Sequence, residues 1–337
     1  MDIQFNELDI ISFHVGGYGD YSHINIIGML YPQKTVYVAF EARDSGDDEV
    51  VKQEYLDRGI RSVLVQKCIA DKKGINPFNI NVSPASSSMY KASSEAMTEH
   101  MPDQESLPMW GSHSTTERTI QVETTTIDDV VQEYRLPAPD ILSIDAQGAE
   151  FGIMKGGVNC IANSVMAVVT EVEFYPIYQN QPLFHQQFEL LFQKGFRLAD
   201  VLAMQYWHPV ARVGQGLLTV GEALFMRYGQ DYLESLNMVQ LIKYAAIALA
   251  FNRLSLAVHA MNIAIQRFGS QVIEILNMNQ EFSELLRLQH YILKNMEQYQ
   301  KNAFYFENDE TLRDRYGVYQ NLTNRSLQPM YLQKASH

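Results

Sequence analysis

Cysteine is scarce in this chain, and its scarcity limits what can hold the protein together. The 337 residues include only Cys68 and Cys160, and neither has a second cysteine or a histidine beside it at the spacing of metal ligands. A disulfide framework and a zinc ribbon are therefore both excluded. We expect the protein to work in a reducing compartment.

Long hydrophobic runs and an excess of basic charge are also missing. No window reaches the roughly 18 uninterrupted apolar residues of a membrane span, and the acidic first ten residues lack the basic region of a signal peptide. The 26 basic and 39 acidic residues give a net charge of −13, so the surface repels phosphate backbones and anionic lipid. The sequence therefore predicts a cytoplasmic protein that binds neither nucleic acid nor membrane.

The apolar content is high enough for two domains of different kinds. Hydrophobic residues make up 46% of the chain, which suffices for two cores. Up to residue 231 the chain has 16 basic and 30 acidic residues, whereas residues 232–337 have 10 and 9. The first part alternates β-branched runs with amphipathic stretches, and the second has Leu, Ala, Met and Gln at helical spacing. We predict an α/β domain at 1–230 and an all-helical domain or extension at 231–337.

The first part has the pattern of a parallel sheet. Its apolar runs are mostly separated by enough chain for a crossover helix, and such runs are typical of strands buried on both faces. They lie at residues 10–15, 35–40, 62–65, 140–144 and 165–172. A helix at 184–193 then precedes strands at 197–201 and 217–227, of which the last is predicted to be antiparallel. In the second part we predict helices at 232–251, 254–268 and about 271–300.

One segment, residues 83–118, fits no regular element. Its 36 residues include nine serines, and a segment this long is usually a lid or a disordered linker. Met97, Met101, Met109 and Trp110 are too apolar for a solvated spacer and favour a cover over a ligand. Both the lid and the solvated linker stay open from the sequence.

The strongest local signal is a glycine-rich turn after the first strand. The run FHVGGYGDYS ends a β-pattern in Gly16, Gly17 and Gly19 and then opens a helix, so backbone N–H groups can approach a phosphate or carboxylate closely. The next strand ends in Glu41, whose carboxylate can accept hydrogen bonds from both hydroxyls of a ribose. Ser22 stands where a dinucleotide fingerprint has its third glycine, so S-adenosylmethionine fits this turn better than a nicotinamide dinucleotide.

Eight segments, in this order, resemble the FkbM-type family of S-adenosylmethionine-dependent methyltransferases over about residues 8–228. They are FHVGGYGDYS, AFEARD, CIADKKG, TTTIDDVV, PDILSIDAQGAEFGIMKGG, EVEFYPIYQNQPLF, QKGFRLADV and GEALFMR. The resemblance implies a class I methyltransferase fold, which is a Rossmann-like, mostly parallel sheet of seven strands. It also implies S-adenosylmethionine as the cofactor and O-methylation of a small-molecule or glycan acceptor, on a hydroxyl of a sugar, glycan or natural product. The helical part is not covered.

The resemblance also implies which residues hold the cofactor. The glycines at 16, 17 and 19 would line its methionine end, and Glu41 would hold the ribose. Ala70 and Asp71 would border the adenine. His14 stands at the end of the first strand, where the family has an acidic residue that attracts the cofactor's amine. We therefore expect weakened cofactor affinity or an altered site.

Three carboxylates are candidates for catalysis. Asp145 ends the strand DILSID next to the glycine turn, so the resemblance makes it face the transferring methyl group as general base or as the group that orients the acceptor. Glu171 and Glu173 end the following strand and are the second choices. The alternative for Asp145 is a capping role at the helix that starts near Gly148. The family's usual glutamate in this block is replaced by Gln147, which keeps the shape and loses a charge.

Metal, scaffold and partner roles complete the expectations. The remaining histidines have no ligand spacing, and we expect no metal requirement, although the acidic strand ends leave a divalent ion open. His14 motivates the alternative function, a degenerate methyltransferase-like domain that acts as a scaffold through its helical tail.

The helices at 232–268 are apolar on nearly every face and must be buried on more than one side. We predict a homodimer through this tail, with packing inside one chain as the alternative.

Overall fold

The computed structural model describes residues 5–16, 27–28, 30–42, 53, 55–93, 114–207, 216–282 and 284–287. Within them the strands are β1 (Ile10–Val15), β2 (Thr35–Phe40), β3 (Arg61–Val65), β4 (Cys68–Ile69), β5 (Gly74–Asn81), β6 (Thr116–Thr125), β7 (Ile141–Ile144), β8 (Ala167–Glu173), β9 (Phe196–Trp207) and β10 (Leu217–Arg227). The helices are α1 (Ile127–Glu133), α2 (Glu150–Gly156), α3 (Val158–Asn163), α4 (Phe184–Gln193), α5 (Gln230–Ser235), α6 (Met238–Ala250), α7 (Leu254–Phe268) and α8 (Ser270–Met278).

Seven strands form one sheet in the order β3-β2-β1-β7-β8-β10-β9. The pairs β2–β3, β1–β2, β1–β7 and β7–β8 are parallel, whereas β10 runs antiparallel to both β8 and β9. Every residue of β1 and β7 is buried, as expected for central parallel strands covered on both faces. This architecture confirms the Rossmann-like, mostly parallel sheet with an antiparallel last strand.

The two faces of the sheet are covered by different parts of the chain. Helices α1 to α4 pack on one face, in a core with Phe13, Val38 and Leu142. Helices α5 to α8 pack on the other face, in a core that includes Ile141 and Val169. The predicted domain boundary at 230–231 falls just inside α5, after its first residue, and this second core extends across it.

A buried ion pair joins the C-terminal helices to the sheet. The Lys243 amine, on α6, lies 2.8 Å from Oδ2 of Asp140 at the start of β7. The same Asp140 oxygen accepts the backbone N–H of Ile11 at 2.8 Å. Burial raises the pKa of Asp140 although the Lys243 charge opposes the shift. The pair therefore joins α6 to β7 and, through the Ile11 N–H, to β1.

The structure corrects three sequence-based boundaries. The helix predicted at 232–251 is two helices, because Asn237 caps the start of α6 by accepting the N–H of Gln240. The helix predicted from residue 271 ends at Met278, and residues after 287 lie outside the described part. The segment predicted as loop to Arg118 ends earlier, since β6 begins at Thr116.

A small second sheet, in the order β4-β6-β5, was not predicted. Strand β4 pairs with β6 in parallel and β5 with β6 antiparallel. Among the described residues, no helix is long and apolar enough to cross a membrane.

Candidate active site

The candidate site lies where the carboxyl ends of β1, β2 and β7 meet. The N–H of Gly16, just after β1, donates to the Phe40 carbonyl at the end of β2 (3.4 Å), and the N–H of Asp145 donates to the Val15 carbonyl (2.9 Å). The strand order continues from β1 to β2 on one side and from β7 to β8 on the other, so the ends of β1 and β7 form the switch point at which open α/β sheets bind ligands. The sequence-predicted residues Gly16, Glu41 and Asp145 are therefore brought to one edge.

Gly16 is fixed here by a close approach of two backbones. Its φ is +96°, and a Cβ at this position would lie 1.6 Å from the Asp145 carbonyl oxygen. Only glycine fits both the conformation and the space. Gly17 and Gly19, predicted to line the cofactor with it, lie outside the described residues.

Four carboxylates gather next to this turn. Asp145, Glu150 and Glu171 each place one oxygen within 4.8 Å of an oxygen of the other two. Glu173 follows Glu171 by two positions on β8, so it lies on the same face of the strand. Asp145 and Glu171 are partly exposed, whereas Glu150 and Glu173 are 1% and 0% exposed.

Burial and mutual repulsion shift the titration of this carboxylate cluster. Burial raises the pKa of Glu150 to about 7, with a contribution from the Asp145 charge. The pKa values of Glu171 and Glu173 are raised well above their usual range, first by burial and then by the charges of neighbouring carboxylates. Repulsion among these carboxylates is unfavourable, and binding a proton or a cation would reduce it.

A chain of hydrogen bonds orients Asp145. The Tyr178 hydroxyl donates to Oε1 of Gln147 at 2.8 Å, and Nε2 of Gln147 donates to Oδ1 of Asp145 at 3.0 Å. Gln147 has a φ of +54°, and its carbonyl accepts the Ser88 hydroxyl at 2.6 Å. The amide at 147 thus donates a hydrogen bond that an ionised glutamate could not, which gives this departure from the family pattern a local role.

The capping role considered for Asp145 is not seen at α2. The N-cap position of this helix is Ala149, and no side chain caps it. Oε1 of Glu150, in the first turn, accepts the N–H groups of Ala146 (2.8 Å) and Gly148 (3.1 Å), which lie in the turn before the helix. Asp145 is a partly exposed carboxylate.

The predicted cofactor residues lie in different surroundings. Glu41 follows β2 and is 7% exposed, and its charge contributes to raising the pKa of Cys68. Ala70 is buried and Asp71 is exposed, with the Asp71 Cβ near Gly152 of α2. The ring of His14 is buried in β1, with Nδ1 2.9 Å from the Ser143 hydroxyl on β7.

The described start of the serine-rich segment forms part of the site wall. Besides the Ser88 bond to Gln147, Ala92 forms a β-bridge with Tyr178 and the Ser93 N–H donates to the Ile177 carbonyl at 2.8 Å. Burial raises the pKa of Tyr90, and the charges of Glu150 and Asp71 add to this shift. Residues 94–113, where the predicted lid would have its apolar side chains, lie outside the described residues.

Three residues of the site were missed by sequence reasoning. Glu150 follows a turn signal and looks like an ordinary first-turn glutamate. Tyr178 and Gln181 lie in the connection after β8, where the Gln181 Oε1 accepts the N–H groups of Ile177 (3.0 Å) and Tyr178 (3.1 Å). Only the spacing between Asp145 and Glu150, which places both around one short turn, could have indicated the first of them.

The strand order and the carboxylate at the β7 end define a Rossmann-like methyltransferase fold. A family model described as the methyltransferase FkbM domain matches residues 14–198, and the chain belongs to this family. It is also similar to a solved structure described as methyltransferase FkbM from Methylobacillus flagellatus KT, at 11% identity and a TM-score of 0.35, over 67% of this chain and 45% of that chain. The chain thus spans less than half of that protein. No curated protein matches the sequence significantly.

Proposed function

We propose that this protein is an S-adenosylmethionine-dependent O-methyltransferase that acts on a hydroxyl of a sugar, glycan or natural product. One observation carries the proposal. The ends of four neighbouring strands bring together the Gly16 turn, the ribose-side candidate Glu41 and the partly exposed carboxylates Asp145 and Glu171. Family membership supplies the reaction class.

The residues present fit this cofactor. Glu41 stands at the end of β2 with little exposure, where a carboxylate can accept hydrogen bonds from two ribose hydroxyls. Gly16 brings the β1 turn against the end of β7, so a ligand over the turn would lie beside Asp145. The cofactor would supply an electrophilic methyl group on a sulfonium centre.

The protein's part in the reaction is positioning and proton removal. The cofactor would supply the methyl group to the acceptor oxygen, and the hydroxyl proton would leave to a carboxylate of this chain. Holding the two reactants in line supplies most of the rate. Asp145 fits the proton-accepting role because it is accessible and is oriented by Gln147.

The three candidate carboxylates are not equivalent. Asp145 and Glu171 are partly exposed, whereas Glu173 has no exposed surface. An acceptor could therefore contact the first two, and Glu173 would act on it only through its neighbours. We rank Glu171 as the second candidate base.

Isothermal titration of the full chain with S-adenosylmethionine tests the proposal. We expect saturable binding, a marked loss of affinity in Glu41→Ala, and retained binding in Asp145→Asn, whose side chain keeps its shape. Glu274→Ala is the matched control, because Glu274 is exposed on α8. Binding that is absent from the wild-type chain would overturn the proposal.

That negative result would favour the alternative of a degenerate domain with a scaffold role. The observation behind this alternative is the buried His14 ring, which is held by Ser143 where the family has an acidic residue. Saturable binding that Glu41→Ala abolishes would rule it out.

A further inference from the structure

We propose that Asp145, Glu150 and Glu171 bind a hard divalent cation of the Mg²⁺ or Mn²⁺ kind beside the methyl-transfer site. This goes against the expectation from the sequence that no metal is required. The cation-binding part stands on geometry alone, and the catalytic part rests on the proposed function.

The three side chains have the geometry of a shared ligand set. One oxygen from each lies within 4.8 Å of the others. Two oxygens bound to one ion can be separated by no more than about 5 Å at the Ca²⁺ distance and about 4 Å at the Mg²⁺ distance, so the smaller ion requires the side chains to move slightly closer. The three come from separate positions: the end of β7, the first turn of α2, and β8. An ion here would join the sheet to α2.

A buried polar atom without a partner is the second observation. Oε2 of Glu150 is inaccessible and accepts no hydrogen bond from the described residues. Glu173 is not one of the three ligands: it follows Glu171 by two positions on β8, so it lies on the same face of that strand, and the Gln181 side chain is a polar partner of its carboxylate. A buried carboxylate oxygen without a partner is costly, and a cation beside Oε2 of Glu150 would compensate it.

The charge around the site has one sign. Asp145 and Glu150 lie next to Glu171, Glu173 lies on the same face of β8, and Glu222 is the direct cross-strand neighbour of Glu171 on β10. Like charges this close are mutually destabilising. A divalent cation satisfies several of them at once, whereas protons would have to be taken up one by one.

The ligand chemistry selects the kind of ion. All the donors are carboxylate oxygens, which suit Mg²⁺, Mn²⁺ and Ca²⁺ rather than soft or imidazole-seeking metals. Mg²⁺ usually keeps several waters and takes one or two carboxylates. The partial exposure of Asp145 and Glu171 leaves one side of the site open for water or for an acceptor oxygen.

Such an ion would explain how a weakly acidic hydroxyl reacts here. A bound divalent cation lowers the pKa of an oxygen ligand, so an acceptor hydroxyl on the ion would lose its proton to a neighbouring carboxylate as its oxygen attacks the methyl group. The acceptor class would then be one with a second oxygen near the methylated hydroxyl, such as a vicinal diol of a sugar, which can chelate the ion.

The test measures cation binding by the full chain without S-adenosylmethionine. Mn²⁺ is titrated by calorimetry and by the loss of its free electron-paramagnetic-resonance signal, and Mg²⁺ and Ca²⁺ are added as competitors. We expect one saturable site and a rise in melting temperature with each ion. Glu171→Gln and Asp145→Asn should each weaken binding roughly tenfold or more, because ligand charge sets affinity in such sites. Glu274→Gln, at an exposed position of α8, should bind as the wild type does.

The metal-free melting temperature keeps the test decisive. In EDTA, Glu171→Gln should be at least as stable as the wild type, since it removes one of several repelling charges, so its weaker binding would not reflect unfolding. No heat and no melting shift at about 10 mM of any of the three ions, roughly tenfold above the weak end of the range for such sites, would overturn the proposal. Equal binding by all variants would overturn it too, because the ion would then lie elsewhere on the acidic surface.

The catalytic part has a separate outcome. S-adenosylmethionine binding measured in EDTA tests the proposed function without the ion. If the cofactor binds and methyl transfer proceeds equally in EDTA and in Mg²⁺, the catalytic part of the inference fails while the proposed function stands. If the ion binds and the cofactor does not, the proposed function fails while the cation site stands.

Discussion

At the scale of single residues, the position of Gly16 connects the fold to the site. The backbone of this residue touches that of Asp145 so closely that a Cβ would overlap the Asp145 carbonyl oxygen, at 1.6 Å. The same contact positions the carboxylate that we propose as the base. The glycine is required by backbone packing as well as by any ligand that the turn binds.

We expect Gly16→Ala to abolish stable folding or to lower the free energy of unfolding by more than about 4 kcal/mol, a loss seen only for severe changes. Urea denaturation followed by circular dichroism measures it. Gly269→Ala, at a φ of +54° with no atom within 4 Å, should cost only the backbone strain of about 1–3 kcal/mol. Gly229→Ala, extended and equally open, should be near neutral. Equal losses at 16 and 269 would contradict the overlap.

The two cysteines give a pH-dependent prediction at the same scale. Burial raises the pKa of Cys68 to about 11 and that of Cys160 to about 12, so both thiols stay protonated well above neutral pH. The thiolate is the reactive form. We expect slow modification of the folded chain by a disulfide reagent at mildly alkaline pH and rapid modification of two thiols in denaturant. Fast labelling of the folded chain would show that one thiol is accessible and ionised.

The sequence identified three of the four carboxylates in the cluster. Asp145, Glu171 and Glu173 were predicted because they end two neighbouring strands in segments that resemble the FkbM-type family. Glu150 was missed because an acidic residue in the first turn of a helix is ordinary there. Glu150 joins the cluster because the backbone of residues 145–149 turns and brings its carboxylate close to Asp145. The sequence pattern does not predict the course of that turn.

At the scale of elements, helix α6 depends on one buried ion pair. The side chains of Lys243 and Asp140 are only 11% and 9% exposed, and the Asp140 carboxylate also holds the N–H of Ile11. Removing the amine would leave a buried carboxylate with one hydrogen-bond donor in place of two. The contact therefore controls how α6 joins the sheet.

We expect Lys243→Met to lower the free energy of unfolding by about 3–5 kcal/mol, as for other broken buried pairs. Lys73→Met is the matched control, because the Lys73–Asp129 pair is 57% and 37% exposed at 3.4 Å and should contribute about 0–1 kcal/mol. Adding Asp140→Asn to Lys243→Met should recover part of the loss, since asparagine is neutral and still accepts the Ile11 N–H. A double variant no more stable than Lys243→Met would contradict the explanation that the loss comes from an unpaired, buried Asp140 carboxylate.

Elements were predictable where the apolar pattern is strong. The bounds of β1, β2, β10 and α4 match the sequence prediction, because their apolar residues are continuous or follow the helical period. The small sheet was missed because β5 and β6 are largely exposed and polar, so they give no hydrophobic signal. The break before α6 was missed because the apolar pattern continues on both sides of Asn237.

At the scale of the whole molecule, the C-terminal helices cover one face of the seven-stranded sheet. Residues of α5 to α8 are buried in one core with Ile10, Ile141 and Leu224, so these helices cover a face that would otherwise meet water. The sequence argument for a dimer was that the tail helices need burial on several sides. Within the described residues, the sheet supplies that burial, and the homodimer stays a proposal that needs a surface other than this one.

The last prediction separates these roles by truncation. A chain that ends at residue 287 retains the described helices, and we expect it to fold with a melting temperature close to that of the full chain. A chain that ends at Gly229 exposes the sheet face, including Val169 and Leu224, and we expect it to aggregate or stay unfolded.

Light scattering of the full chain should give about twice 38.6 kDa if the homodimer forms. If the full chain is a dimer and the chain ending at 287 a monomer, residues after 287 form the interface, and if both are dimers, the outer surface of α5 to α8 forms it. A monomeric full chain would disprove the dimer, and a soluble, folded chain ending at Gly229 would disprove the packing role of the helices.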